Sequence, residues 1–219
     1  MDIVESIDKL KPKCIFDVVE RDFFLEYEDR NGPSAGHDYL HCNDYYELYY
    51  AISKFYQPET IFEIGVRYGY SLYSLIKGSD KVNYALGYDI DEEIYNNKEW
   101  ISKKLNLESD KVSSVSIAKS QLEKFCEGVD VNIEKQNSQE ITELDGYMDL
   151  IHIDGDHTYE GKVHDLEITK QKGKVIVIDD YSHIREVKMA TDDFIKSNSS
   201  IIKNHYLLSS FRGTYIIEY

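Results

Sequence analysis

Apolar and polar positions alternate along this chain with two different periods. Up to residue 58 the spacing is helical. Residues 1 to about 30 read as one or two helices, with Val18, Val19, Phe23 and Phe24 as apolar contacts. Asn31-Gly32-Pro33-Ser34-Ala35-Gly36 then gathers turn formers and predicts a loop. Tyr45, Leu48, Tyr49, Ile52, Phe55 and Tyr56 recur at helical intervals, with Asp44 and Glu47 spaced as a capping box and Pro58 as the stop. From Thr60 the period shortens. Apolar runs at Thr60–Ile64, Val82–Tyr88, Val129–Glu134, Met148–Ile153 and Lys174–Ile178 are separated by helical patterns near 70–77, 92–105, 113–127, 158–170 and 184–196. Such alternation requires crossover connections and predicts an α/β fold, a doubly wound parallel sheet covered on both faces. Ile201–Leu208 and Thr214–Tyr219 are joined only by Ser209-Ser210-Phe211-Arg212-Gly213, a hairpin-length link, so the sheet should close on an antiparallel C-terminal hairpin.

Composition narrows the partners. The chain has 219 residues, suited to one compact domain or one domain with an extension, and 42% of them are apolar, enough for a core. Its formal charge of −16 argues against nucleic acid, which needs a basic surface, and against anionic membranes. No apolar run approaches the ~18 residues that span a bilayer. Met1-Asp2-Ile3-Val4-Glu5 lacks the basic start and apolar stretch of a signal peptide. Cys14, Cys42 and Cys126 are far apart and form no CxxC pair, which disfavours a zinc knuckle or a disulfide framework. A reducing cytoplasm is the expectation.

In doubly wound sheets ligands bind beyond the carboxyl ends of the strands. The first strand runs into Glu63-Ile64-Gly65-Val66-Arg67-Tyr68-Gly69-Tyr70-Ser71. Gly65 would allow a tight turn with no Cβ in a ligand's way, and Gly69 would let a helix start close by. The dinucleotide fingerprint GxGxxG is missing, which disfavours a pyrophosphate cradle and a nicotinamide oxidoreductase. The second strand ends in Asp89, placed to accept from both hydroxyls of a ribose, although it also suits a helix cap. Together these features favour a nucleoside ligand without a phosphate chain.

Two later strand ends carry the most distinctive string. Asp149-Leu150-Ile151-His152-Ile153 runs into Asp154-Gly155-Asp156-His157-Thr158-Tyr159-Glu160, and Val175-Ile176-Val177-Ile178 runs into Asp179-Asp180-Tyr181. If these strands are neighbours ~4.8 Å apart, Asp154, Asp179 and Asp180 converge. Unpaired carboxylates about 4 Å apart repel by ~4 kcal/mol per pair at an effective dielectric of ~20. Either one carboxyl keeps a proton, or a divalent cation sits among them, and oxygen ligands suit Mg²⁺, Mn²⁺ or Ca²⁺. Asp156 also fits a cap for the helix near Thr158, Asp180 a turn, and His152 a satisfied core histidine.

These motifs resemble the class I S-adenosylmethionine-dependent methyltransferases, whose fold is Rossmann-like with seven strands. DGDHTYEG and VIVIDDY further resemble a subgroup of small O-methyltransferases with a DGDHxYE element, including metal-dependent sugar O-methyltransferases, and more distantly the catechol type. The resemblance covers about residues 59 to 183 and plausibly the hairpin. It divides the chain into an N-terminal helical extension, 1–58, and a cofactor-binding methyltransferase domain, 59–219. It implies that Glu63, Gly65, Gly69 and Ser71 meet the methionine part of the cofactor and Asp89 the ribose. Asn137 and Ser138 lie where the family places a Gly-Asp-Ser segment beside the adenine, with Asn137 in place of the usual aspartate. It makes Asp154, Asp179 and Asp180 the ligands of a divalent cation, with Mg²⁺ first. His157 falls where the sugar-modifying enzymes place a general base, and Asp156 is next in line for that role.

The chemistry so implied is in-line attack of a substrate oxygen on a sulfonium methyl. A coordinated hydroxyl is acidified and oriented, and the imidazole of His157 has a suitable intrinsic pKa to take its proton. The expected acceptor is a small molecule or sugar, a vicinal diol first and a catechol next. The 31–36 loop with His37, Tyr39 and His41 would form a lid over it. Residues 106–128 and the N-terminal helices would shape the acceptor pocket or a dimer interface. Metal-independent methylation and a non-catalytic cofactor-binding module are the rival readings.

Overall fold

At Thr60 the helical period gives way to the first strand of a seven-stranded sheet. The computed structural model describes residues 2–24, 43–91, 98–208 and 212–219. The expected lid, the first turns of the helix near 92–105 and residues 209–211 of the hairpin link lie outside them. The strands are β1 (Thr60–Ile64), β2 (Tyr84–Asp89), β3 (Asp130–Lys135), β4 (Met148–Ile153), β5 (Gly173–Ile178), β6 (Asn204–Leu208) and β7 (Thr214–Glu218). Their order is β3-β2-β1-β4-β5-β7-β6. The first five are parallel, and β7 runs antiparallel to β5 and also to β6, the latter as the short connection between them requires.

Successive side chains of a strand point to opposite faces, so each central strand feeds two cores. Ile61, Leu150, Val175 and Val177 belong to one core layer. The helices covering that face are α2 (Asn43–Tyr56), α3 (Tyr70–Gly78), α4 (Lys98–Leu105) and α5 (Ser114–Phe125), which contribute Leu48, Leu72, Ile101 and Ile117. Phe62, Ile151, Ile153, Ile176 and Ile178 belong to the other layer. There α6 (Tyr159–Thr169) adds Leu166, and α7 (Arg185–Ser197) adds Val187 and Phe194. Burial on both faces explains why Val175–Ile178 of β5 is an unbroken apolar run and why β4 is mostly apolar in sequence.

The N-terminal segment corrects one expectation. Only Ile3–Asp8 forms an α-helix, α1, and the segment continues as two 3₁₀ turns, Ile15–Asp17 and Arg21–Phe23. Pro12 explains the early stop, because the residue before a proline is disfavoured in helix. Tertiary contacts then hold the chain: Phe23 stacks on Tyr73 with centroids 3.7 Å apart, and Glu20 accepts from Tyr73 and pairs with Lys77 at 3.1 Å. A second correction concerns α2, which already includes Asn43, so Asp44 lies within the helix rather than ahead of it. A capping box does form at α5, where Ser113 and Ser116 exchange hydrogen bonds.

The chain leaves β1 toward β2 and β3, then returns on the other side of β1 as β4. The carboxyl ends of β1 and β4 therefore flank the switch point of the sheet. Asp154 N donates to Ile64 O at 2.8 Å, drawing the end of β4 against that of β1. Gly65 sits in this narrow place with φ +90, and a Cβ on it would overlap the Asp154 carbonyl. Close approach of β4, more than clearance for a ligand, is what demands glycine here.

Two stability changes follow, both readable by urea unfolding. Phe23→Ala should cost about 3 kcal/mol, since it empties a fully buried, stacked site. Gly65→Ala should cost at least about 2 kcal/mol, because both the backbone angle and the space oppose a side chain.

Candidate active site

The carboxyl ends of β1, β2, β3 and β4 open onto one cavity of about 590 Å³. Gly65, Arg67, Asp89, Asn137 and Ser138 line one end of it. Asp154, Asp156, His157 and Arg212 also line it, from the ends of β4 and β7. The sequence-expected positions Glu63, Gly69 and Ser71 lie beneath this surface rather than on it.

Glu63 is fully buried. One carboxylate oxygen, Oε1, receives both Ser71 Oγ at 2.6 Å and His152 Nδ1 at 2.5 Å, while Oε2 has no hydrogen-bond partner. Burial drives the Glu63 carboxyl above its ordinary value, against the pull of His152 and Ser71. For His152 burial works the other way, and the Glu63 hydrogen bond and charge carry its pKa upward. His152 is thus a core histidine, as expected, but a half-satisfied one, since Nε2 lacks a partner. Gly69 opens α3 in a left-handed conformation, and a Cβ there would press on Leu122 at 3.1 Å.

Asp89 organises the loop above. Its Oδ2 accepts from Arg67 N at 2.7 Å, and its Oδ1 from Asp91 N and Ser114 Oγ at 2.8 Å each. A carboxylate oxygen has two lone pairs, so Oδ2 retains capacity for a ligand hydroxyl. Asn137 Oδ1 caps the 3₁₀ turn Ser138–Glu140 by accepting from Gln139 N at 3.1 Å. That turn holds Ser138 at the cavity wall.

At the other end, parallel pairing of Ile153 with Ile178 sets Asp154 beside Asp179. The structure does not treat the three aspartates alike. Asp154 Oδ1 lies 3.2 Å from His157 Nε2, and Asp180 Oδ2 lies 3.6 Å from the same nitrogen. Single ligand atoms of Asp154, His157 and Asp180 all fall within 4.8 Å of one another. Asp179 is wholly buried instead, with Oδ2 accepting from the Tyr45 hydroxyl and Oδ1 unpartnered. Burial first, then the charges of Asp154 and Asp180, push its carboxyl up to about 7. On Asp154 burial opposes the charge, but the His157 hydrogen bond and nearby cations hold the carboxyl below its usual range. That same hydrogen bond raises the His157 pKa. Asp180 adopts φ +58, a left-handed conformation unusual for a side-chain-bearing residue. Its carbonyl accepts from His183 N and Ile184 N, so the turn expected of it exists together with its place in the cluster.

Asp156 is not the helix cap. Thr158 caps α6 by accepting from Gly161 N, while Asp156 Oδ1 accepts from Thr158 N at 2.8 Å.

Three neighbours of the acids escaped the sequence reading. Tyr45 comes from α2, 134 residues from the Asp179 it binds. Arg212, two residues before β7, reaches Asp180 at 3.5 Å. Lys162 on α6 is buried, with Nζ 3.4 Å from Ile153 O. The only signal for Lys162 was a lysine on the inward face of a helix. The other two carried none, because their partners are remote in sequence.

Comparisons with known proteins agree with this geometry. A family model described as a methyltransferase domain matches residues 62–181, more than half of the chain. No curated protein matches the sequence. Among solved structures, an S-adenosylhomocysteine-bound methyltransferase of Podospora anserina aligns with a TM-score of 0.58 at 17% identity, over 99% of this chain and 93% of that one. An O-methyltransferase of Streptomyces achromogenes involved in tomaymycin synthesis, in complex with S-adenosylmethionine, aligns with a TM-score of 0.58 at 12% identity, over 100% and 99%. A putative caffeoyl-CoA O-methyltransferase of Staphylococcus aureus aligns with a TM-score of 0.56 at 17% identity, over 80% and 83%. At such identities the likeness establishes the shared Rossmann-like methyltransferase fold. With the family model spanning the strand ends that build the cavity, the chain belongs to the methyltransferase-domain family.

Proposed function

We propose that this protein transfers a methyl group from S-adenosylmethionine to a hydroxyl oxygen of a small molecule or sugar, assisted by a divalent cation. The observation that carries the reading is the continuity of one cavity from Asp89 and Asn137 to Asp154 and His157. The first part suits a nucleoside. Asp89 has lone-pair capacity for ribose, and the Asn137–Ser138 turn is the expected place of the adenine. The sulfonium of the cofactor is cationic, which matches a site rich in carboxylates better than a phosphate chain would.

The other end fits a cation by the chemistry of its donors. Asp154 and Asp180 present hard oxygen ligands at one place, and the unpartnered Oδ1 of Asp179 leaves a further buried carboxylate beside them. Asp154 and Asp180 would hold the ion, with Asp179 behind them. When bound, such a cation lowers the pKa of a coordinated hydroxyl and fixes its direction. The chain supplies the rest. The β4 and β5 ends bring Asp154 and Asp180 together, and Tyr45 holds Asp179 behind them by donating to it. Two groups at this end compete to receive the acceptor's proton, the half-exposed His157 and the carboxylate of Asp156. A vicinal diol on a sugar is the favoured acceptor, because adjacent hydroxyls chelate.

Calorimetric titration with S-adenosylhomocysteine should show saturable binding, and Asp89→Ala should weaken it by at least about tenfold, through loss of a charged hydrogen-bond acceptor. Absence of binding by the unmodified protein would reject the cofactor. Methyl transfer to a panel of glycosides and catechols should stop when a chelator is added. Turnover that persists in chelator would point to the metal-free alternative, in which the aspartates accept hydrogen bonds from the acceptor itself.

A further inference from the structure

We infer that Lys162 is the internal counter-cation of the strand-end acids, holding Asp154 and Asp179 together and limiting how tightly the site takes a divalent cation. The inference rests on the cation reading above and keeps the ligands and proton acceptors named there. A lysine is rarely buried without a partner, because its charge loses water and has to be balanced inside the protein. Lys162 is fully buried on the face of α6 turned toward β4. Its Nζ makes one long hydrogen bond, 3.4 Å to Ile153 O. Among the described residues, no carboxylate comes within ion-pair distance of it.

That one contact fixes where the ammonium stands. Ile153 immediately precedes Asp154, and the same carbonyl accepts from Asp179 N at 3.2 Å. The charge therefore lies against the backbone that carries both acids, which the β4–β5 pairing sets side by side. Asp165 sits one turn further along α6 on the same face and is fully buried too. Its Oδ1 accepts from Gln139 Nε2 at 2.8 Å. Its Oδ2 has no partner and packs under Gly155, where an added Cβ would lie 3.0 Å from it. Asp179 Oδ1 is unpartnered as well. A buried ammonium with donors to spare thus stands among buried carboxylates with oxygens to spare. Burial pulls the Lys162 amine down, while the charges of Asp154, Asp165, Asp179 and Asp180 hold it up.

Two electrostatic effects of opposite sign follow. With no ion bound, the ammonium offsets the repulsion among the acids. With an ion bound it repels that ion, so the affinity of the site is a balance to which Lys162 contributes. His157 and Arg212, the other basic groups at this end, are partly exposed and screened by water. Lys162 acts through the protein interior, where a charge is felt more strongly.

The test uses the full chain and Mn²⁺ alone, with affinity read by calorimetry. Lys162→Met removes the charge, and Lys162→Gln removes it while keeping a donor for Ile153 O. Both variants should bind Mn²⁺ at least about tenfold more tightly than the unmodified protein. Both should also melt at a lower temperature in chelator, and saturating Mn²⁺ should recover the loss. Lys196→Met deletes an exposed charge in the last turn of α7 and should leave the affinity within about twofold. Mn²⁺ affinity that is unchanged or weaker in Lys162→Gln would overturn the role and reduce Lys162 to its hydrogen bond, whether or not the Met variant folds. Failure of Mn²⁺ to bind the unmodified protein at millimolar concentration would instead reject the cation reading, and this role with it.

Discussion

The parallel pairing of β4 with β5 is the constraint on which the site depends. Both strands are buried on two faces, so their register is fixed by the core and cannot slip without carrying a whole apolar face into water. That register places Asp154 next to Asp179, with Asp180 one residue on. Three acids are held together not by attraction between them but because the hydrophobic cores beneath give their strands nowhere else to go. Repulsion among them has to be met locally, and the surroundings are arranged to meet it.

Each neighbour answers part of that charge. Tyr45 donates to Asp179, His157 bridges Asp154 and Asp180, Arg212 approaches Asp180, and the buried Lys162 stands behind the strand ends. These groups come from α2, the β4–α6 loop, the segment before β7 and α6, so the acidic end of the cavity is assembled from most of the fold. Asp179 shows what incomplete compensation does: burial beside two like charges pushes its carboxyl up to about 7. Asp154, in hydrogen-bond contact with His157, is held low instead. Two aspartates at facing positions of neighbouring strands thus acquire opposite tendencies from a few ångströms of environment. The end near β1 and β2 follows a different rule, with Glu63 and His152 paired in the interior and Asp89 used chiefly to pin the loop.

Much of this was legible in the chain itself. Strand runs of β-branched and aliphatic residues marked the central parallel strands, which are buried on both faces, while the edge strand β3 alternates apolar with polar residues. The hairpin-length link predicted the antiparallel end. The strand-end acids and glycines marked the cavity because ligands of such sheets sit there for topological reasons. Less legible was the N-terminal segment. Its apolar residues were found correctly, yet Pro12 and contacts such as Phe23 on Tyr73 set 3₁₀ turns where helix was expected.

By itself, then, the sequence determined the succession of the strands along the chain, their parallel or antiparallel sense and which acids stand at their ends, because periodicity and loop length are local properties. Only the tertiary structure decided how those acids differ. Tyr45 and Asp179 are 134 residues apart, and nothing in the pattern around either one announces the other. Likewise Gly65 was read as room for a ligand, and the fold shows it as room for the end of β4. Distances, burial and charge around a side chain depend on every element that packs against it, and those are properties of the folded chain.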